Sequence, residues 1–373
     1  MKIALVHDDL IQFGGAENIL LALHKIFPDA PVYTALASRK WKKVCKEEGI
    51  ELKTSFMQKL PFAEKLNRYY APFLLHALAF ESFDFSDFDL VISVSARYAH
   101  GIITKPMTKH ICYMNSPGRM FWESQNYFES ESFGALKGVK ALAKPFLALP
   151  LSWLRNWDYT AAQRVDYFIA NSKTPQARIK KYYGRDSEII HPFVEVEKFS
   201  NSQKTVGDYF LVLTRLASWK KVEIAIEACT KLGLKLKIVG AGPDEARLKK
   251  IAGGNPNIEF LGHIIEEQKR ELLFSARALI NTQYEDFGIV PLEAMASGTP
   301  VIAFEKGGAL ETVIEGKTGE FFPEQTPESL SQGLGDFDPS KYHPDTCKTQ
   351  ARKFDYKHFE TQIKAFVKMV QSH

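Results

Sequence analysis

Short apolar runs alternate along the chain with longer segments whose apolar residues return every three or four positions. In the first half the strand-like runs are KIALVHD, LVISVS, HICYM, DYFIANS and EIIH, and the helical ones are AENILLALHKIF from Ala16 and TPQARIKKYY. A second series begins at Tyr209 with YFLVLTR, VEIAIEACTKL, LKLKIVG, DEARLKKIAG and IEFLG, then a helix over 266–275 and the strand ALINT. Alternation of this kind predicts parallel sheets with crossover helices. Two series predict two Rossmann-like, doubly wound α/β domains. The stretch 191–207 is polar, contains Pro192 and is the expected linker, so the domains are placed at 1–192 and 193–353. The last helical segment, 354–373, is assigned to the first domain. No short repeat and no low-complexity tract interrupts the pattern.

Composition agrees with this division. A chain of 373 residues exceeds one ordinary core. Its 45% hydrophobic and 25% charged residues are those of a globular protein, not a disordered one. A net charge of +4 from 48 basic and 44 acidic residues is too small to point to nucleic acid, but it leaves room for a local basic face toward an anionic partner. Cys45, Cys112, Cys229 and Cys347 stand far apart without a CxxC, which suits a reduced, cytoplasmic setting. The N-terminus reads as a strand without a signal peptide's apolar core, and no run approaches the roughly 18 apolar residues of a membrane span. The nearest, PFLALPLSWL at 145–154, can lie on a surface but not cross.

Three strand ends in the second half carry groups suited to a nucleotide diphosphate. In TRLASWKK, Arg215 ends a strand and Lys220 follows five residues later, two cations able to neutralise a leaving diphosphate. In GAGPDE, Gly240 and Gly242 let backbone approach a ligand, and the next helix offers its amides to an anion. In EDFGIVPLEAMASGTPVIAF, Glu285 and Glu293 stand eight residues apart, with Pro291 at the expected helix start, Glu293 in its first turn, and Gly298 and Pro300 stopping it. A carboxylate accepts hydrogen bonds from adjacent hydroxyls, as a ribose or hexose presents them. Each signal also has a plainer reading: solvated loop cations, an ordinary tight turn, and an acid favoured by the helix dipole.

Taken together, Arg215 with Lys220, GAGP at 240–243, and E-x7-E followed by SGTPVIAFEKGGALE resemble the retaining, GT-B fold glycosyltransferases of family 4. HDDLIQFGGAE is similar to that family's glycine-rich first loop. RLASWKKVEIAIEA, YFIANSKTPQARIKKYYG and HPFVEVEKF look closest to the mannosyltransferase-like branch that builds bacterial surface polysaccharides. The resemblance spans nearly the whole chain. It implies two domains facing a cleft, with a nucleotide-sugar (GDP-mannose favoured, UDP-sugar as an option) on the second and a lipid-linked saccharide acceptor on the first. It implies that Arg215 and Lys220 hold the diphosphate, that Glu293 holds the ribose, and that Glu285 with the Phe287, Gly288 and Ile289 backbone holds sugar and phosphate. Gly14 and Gly15 would approach the donor phosphates, and His263 and Ile264 the base. It implies no carboxylate nucleophile, no metal and no cofactor. Asn115 and Ala96 stand where related sequences often carry histidines, which leaves Arg97, His100, Asn115 and Arg119 as acceptor-side candidates.

Other signals point elsewhere. The triplet DFD at 87–89 spells the DxD of metal-dependent transferases but precedes LVISVS, at the wrong end of a strand. No HxxxH or Cys/His cluster suggests zinc. The segment 134–157 is basic, apolar and free of acids, fit to rest on anionic lipid at the inner face of the cell membrane or to pack on a protein. The aromatic stretch 56–80 suits an acceptor site, a membrane contact or core. A nucleotide-sugar epimerase and a non-catalytic nucleotide-sugar-binding subunit are the alternatives to a transferase.

Overall fold

Two separate parallel sheets organise the chain. The computed structural model describes residues 1–70, 74–123, 140–199 and 207–372, with side chains except at 68, 69 and 140–148. The first sheet holds β1 (Ile3–His7), β2 (Val32–Thr34), β3 (Leu52–Thr54), β4 (Leu90–Ser95), β5 (Lys109–Met114), β6 (Tyr167–Ala170) and β7 (Ser187–Ile189), in the order β3-β2-β1-β4-β5-β6-β7. The second holds β8 (Tyr209–Leu213), β9 (Lys235–Val239), β10 (Ile258–Gly262), β11 (Leu279–Asn281), β12 (Val301–Phe304) and β13 (Gly319–Phe322), in the order β10-β9-β8-β11-β12-β13. Every pairing is parallel. The strand order reverses beside the first strand of each sheet, between β1 and β4 and between β8 and β11. Loops leaving such a pair run in opposite directions and open a crevice at the carboxyl edge.

The chain divides into two compact units. Among the described residues, one takes in the chain to Ile190 together with the end from Glu360, and the other is His191–Phe359. Central strands are covered on both faces, so they read as unbroken apolar runs: all six residues of β4 are buried. The serines within LVISVS are matched by histidines from its neighbours. Ser93 Oγ lies 2.8 Å from His110 Nε2, and Ser95 Oγ lies 3.1 Å from His100 Nδ1.

Three features bear on the elements expected from the sequence, and one of them, the linker, changes. The short strands β2 and β3 are only three residues each and show no periodicity of their own; backbone pairing of β2 to β1 and of β3 to β2 defines them. The expected linker begins inside the second unit's core. Val194, Val196 and Phe199 are buried there, and the Val194 N–H donates to the Phe354 carbonyl at 2.9 Å. Glu195, Glu197 and Lys198 between them gave the segment its polar look. The DFD triplet serves the approach to β4, where Asp89 accepts the Lys2 N–H at 2.7 Å.

One carboxylate ties the two halves of the first sheet's crevice together. Asp8, just past β1, accepts backbone N–H bonds from Ala96 at 2.7 Å, Tyr98 at 2.8 Å and Ala99 at 2.9 Å, all in the loop after β4. The second buried carboxylate, Asp9, lies 3.1 Å from His76 Nε2 and accepts from Asn67 at 3.3 Å. Burial alone would raise its pKa. His76, Arg97 and Asn67 outweigh that and hold it below the ordinary carboxylate value.

Two predictions follow from these buried groups. Replacing Asp8 by Ala strands three N–H groups at about 1–3 kcal/mol each, so chemical denaturation should show a loss of about 3 kcal/mol or more. His110 is buried, and burial, with His100 and Arg164 nearby, pushes its pKa down from 6.5 to about 3. The unfolded chain therefore binds its proton first. The stability contribution of neutral His110 is complete above about pH 6.5 and falls by up to about 1.4 kcal/mol per pH unit toward pH 3. A His110→Gln variant should show a shallower loss of stability between pH 6.5 and 4.

Candidate functional site

The loops that leave β8, β9, β10 and β11 are sewn to one another at the carboxyl edge of the second sheet. Thr214 N–H donates to Val239 O at 3.0 Å, Leu216 N–H to Ala241 O at 3.1 Å, and Gly240 N–H to Gly262 O at 2.8 Å. Across the strand-order reversal, Thr282 Oγ1 donates to the Lys220 carbonyl at 2.8 Å, and Thr214 Oγ1 to Gln283 Oε1 at 3.0 Å. This lattice settles what the GAGP glycines do. A side chain at Gly240 or Gly242 would collide with the carbonyl of Thr214 or Leu216, so the protein's own loop requires both. The helix that follows, Glu245–Ala252, is preceded by Asp244, whose carboxylate pairs with Arg247; negative charge already sits where an anion was expected.

Arg215 lies two residues past β8 with an exposed side chain. Lys220 closes a single 3-10 turn, Ser218–Lys220, and is buried. Its Nζ makes an ion pair with Glu285 Oε1 and lies 4.0 Å from the centre of the Trp219 ring. The structure thus joins two of the predicted residues directly, across the β8–β11 reversal.

The segment after β11 is built around Gly288 and a second glycine pair. Gly288 has φ +88°, a conformation that favours glycine, and it caps the helix Ile289–Ala296. That helix therefore begins two residues before Pro291, whose missing N–H still falls among the unpaired first four. Glu293 lies in the second turn, not the first, so the helix-dipole explanation for it weakens. Gly307 and Gly308 press against the 285–287 backbone: the Gly308 N–H donates to Glu285 O at 2.9 Å, and a side chain at Gly308 would strike Phe287. Phe287 is buried and its ring lies tilted against that of His191 with centroids 5.3 Å apart; His191 Nε2 lies 3.0 Å from Glu311.

Glu293 meets Lys269 of the helix Glu266–Ser275, with Nζ 3.0 Å from Oε1. Burial raises the Glu293 pKa, and Lys269 opposes the rise without cancelling it. Nothing in the sequence singled out Lys269, Gly307, Gly308, His191 or Glu311, although the last four lie in stretches that carried the resemblance. Of the base-side candidates, His263 is exposed and Ile264 packs on the core. A surface recess of about 600 Å³ is lined by Tyr284, next to Glu285 in the chain, and by Phe304, Lys306, Pro323, Glu324 and Gln325; none of the predicted residues lines it.

In the first unit, Gly14 caps the helix Gly15–Ile26 and both glycines are exposed. The loop before them is held by Trp41, which stacks on Phe13 at 4.5 Å and donates to Gln12 O at 2.6 Å. Arg97 is partly exposed, 3.8 Å from Asp9. Asn115 and Arg119 are half-buried past β5. His100 departs from its acceptor-side expectation. Its ring is fully buried, with Nε2 3.2 Å from Asp158 Oδ1, and Asp158 also accepts from Trp122 and Tyr183. It joins the loop after β4 to the helix Lys140–Gln163 rather than reaching a ligand. The 134–139 part of the basic segment lies outside the described residues. Leu149 and Trp153, one turn apart on that helix, are 67% and 59% exposed. Among the described residues no helix is long and apolar enough to cross a membrane. The aromatic stretch divides: Met57 and Phe80 are core, whereas Phe56 and Phe62 are exposed.

With this geometry established, similarity to known proteins bears on the same segment. Residues 194–354 match the family described as Glycosyl transferases group 1. The chain is 28% identical over 205 residues to a D-rhamnosyltransferase of Pseudomonas aeruginosa, covering 52% of this chain and 54% of that one. It is 29% identical over 223 residues to the human alpha-1,3/1,6-mannosyltransferase ALG2 (50% and 53%) and 27% identical over 212 residues to the O-antigen chain mannosyltransferase C of Escherichia coli (53% and 55%). The matches span about half the length of these curated relatives. Among solved structures, Anabaena HepE in complex with UDP superposes with TM-score 0.71 at 17% identity, over 99% of this chain and 100% of that one. The sucrose-phosphate synthase of Thermosynechococcus elongatus does so with TM-score 0.71 at 15% identity, over the full length of both. The fold is therefore GT-B, and the segment that carries the Lys220–Glu285 pair matches the glycosyl transferases group 1 family.

Proposed function

We propose that the protein is a retaining, metal-independent glycosyltransferase that moves a hexose, with mannose favoured, from a nucleotide-sugar to a lipid-linked saccharide in cell-surface polysaccharide synthesis. The observation that carries the reading is the Lys220–Glu285 pair at the β8–β11 reversal, with Arg215 exposed on the same loop after β8, within the segment that matches the transferase family. Mannosyltransferases among the relatives support mannose, and GDP-mannose is the donor this reading favours. A UDP-sugar is the alternative donor; the solved HepE complex contains UDP.

The chemistry uses charge and position. Arg215 and Lys220 face the diphosphate, and Glu285 takes a sugar hydroxyl through the oxygen that Lys220 leaves open. Glu293 takes the ribose. The bond from the anomeric carbon to the phosphate oxygen breaks while a bond to the acceptor oxygen forms on the same face. The acceptor proton passes to the departing phosphate, so no protein base is required. Preorganised cations in a partly dry site stabilise the charge that develops on the leaving group. Arg97, Asn115 and Arg119 remain the acceptor-side residues of this proposal. Exposed Leu149 and Trp153 on the helix Lys140–Gln163 support a membrane surface as a partner, at the cytoplasmic face.

Two experiments test the reading. In a thermal-shift panel of GDP-, UDP- and ADP-sugars, one donor should stabilise the protein, by about 2.7 kcal/mol at a hundredfold excess over its dissociation constant. Arg215→Ala and Glu293→Ala should abolish the response. No response to any nucleotide-sugar would refute the assignment. In a transfer assay with membrane extract as acceptor, Lys220→Met should lower kcat by about a hundredfold or more, and the product should keep the donor's anomeric configuration. A changed sugar nucleotide released without acceptor would favour an epimerase, and tight donor binding without turnover a binding subunit.

A further inference from the structure

Glu293 stands in a setting that does not favour a charged carboxylate, and the structure places one compensating group against it. Its side chain is 17% exposed and sits on the second turn of the helix Ile289–Ala296. Lys269, 14% exposed, reaches it from the helix Glu266–Ser275 and also contacts Glu266 Oε2 at 2.8 Å. Glu293 Oε1 is engaged by Lys269; among the described residues no side chain or backbone group donates to Oε2. One carboxylate oxygen is anchored and the other is left for a ligand.

We infer that Lys269 is a positioning residue for nucleoside recognition: it fixes Glu293 through Oε1, keeps the carboxylate anionic, and thereby turns Oε2 into an acceptor for the paired hydroxyls of a ribose. This rests on the proposed role of Glu293 in donor binding and goes beyond it. Two adjacent hydroxyls are donors, and only the ionised carboxylate accepts from both without competing as a donor itself. Burial pushes the Glu293 pKa up, and Lys269 is the largest counterweight. Burial also works against the charge on Lys269, but Glu293 and Glu266 overcome it and hold the ammonium above its ordinary pKa. The other charges nearby are accounted for. Glu266 repels the carboxylate from the same helix as Lys269. Lys198, from the 3-10 turn Val196–Phe199, attracts it but is paired with Glu195. Glu311, on the neighbouring helix Ala309–Thr312, is held by His191. Lys348, on the helix Pro344–Arg352, lies against Gly298 beyond the far end.

A purely structural tie between two helices would contribute to stability without reading the sugar, so the test must separate the two. Binding of GDP and UDP is measured against their 2′,3′-dideoxy forms, with melting temperature recorded for each variant. In the unmodified protein the ribose form of the preferred nucleotide should bind about tenfold more tightly than the dideoxy form, with little change between about pH 6.5 and 8.5. In Lys269→Gln the ratio should fall toward one at the acid end and climb as pH rises, because Glu293 without its cation ionises later. Lys269→Arg should keep the ratio, and Glu293→Gln should lose it at every pH. An undiminished, pH-independent ratio in Lys269→Gln would overturn the inference while leaving the donor site intact. Should Lys269→Gln not fold, loss of the ratio in Lys269→Arg would overturn it, because the charge is retained there. Nucleotide binding without any ribose preference in the unmodified protein would overturn it as well, and absence of all nucleotide binding would remove the donor-site reading together with it.

Discussion

An ammonium and a carboxylate drawn largely out of water at the reversal between β8 and β11 set the terms for the second unit's edge. Lys220 and Glu285 each lose hydration on burial, and neither is tolerable there without the other. Their pairing dictates how the two loops must meet. Thr282 then completes the join by donating to the Lys220 carbonyl, and Gly307 and Gly308 fit against the Glu285 backbone from the other side. The pair is costly as a stabilising device and well suited to a site where opposite charges must be held ready for a polar ligand.

The first unit handles its own reversal by a related route with a different partner. There Asp8 faces backbone amides and not a cation, and its three accepted bonds draw the loop after β4 onto the end of β1. Asp9, His76, His100 and Asp158 extend this into a buried polar layer. Trp122 and Tyr183 support it by donating to Asp158, and Tyr98 stacks on His76 at 4.9 Å. His76 and His100 thus have an architectural task in this layer. Burial, visible only in three dimensions, distinguishes His100 from Arg97.

Much of the second unit was legible in its sequence. The strand and helix boundaries of 209–275 follow from periodicity because those helices bury one face and the strands are covered on both. Arg215, Lys220, Glu285 and Glu293 could be gathered at one edge because parallel α/β topology sends every strand–helix loop there. The start of the helix at Ile289 was misread because Pro291 is a weaker boundary marker than a glycine with positive φ, and φ leaves no trace in the residue pattern. The segment 191–199 was misread because alternating charged residues hid three buried apolar ones.

The sequence by itself determined the class of fold, the number of sheets and the chemical inventory at the loop ends, since hydrophobic period and residue type are properties of the chain taken locally. Only the tertiary structure decided which charges meet: Lys220 with Glu285, Lys269 with Glu293, His100 with Asp158. Those partners lie 24 to 65 residues apart. Their attraction depends on distance and on the water removed around them, and both arise only when the separated segments pack.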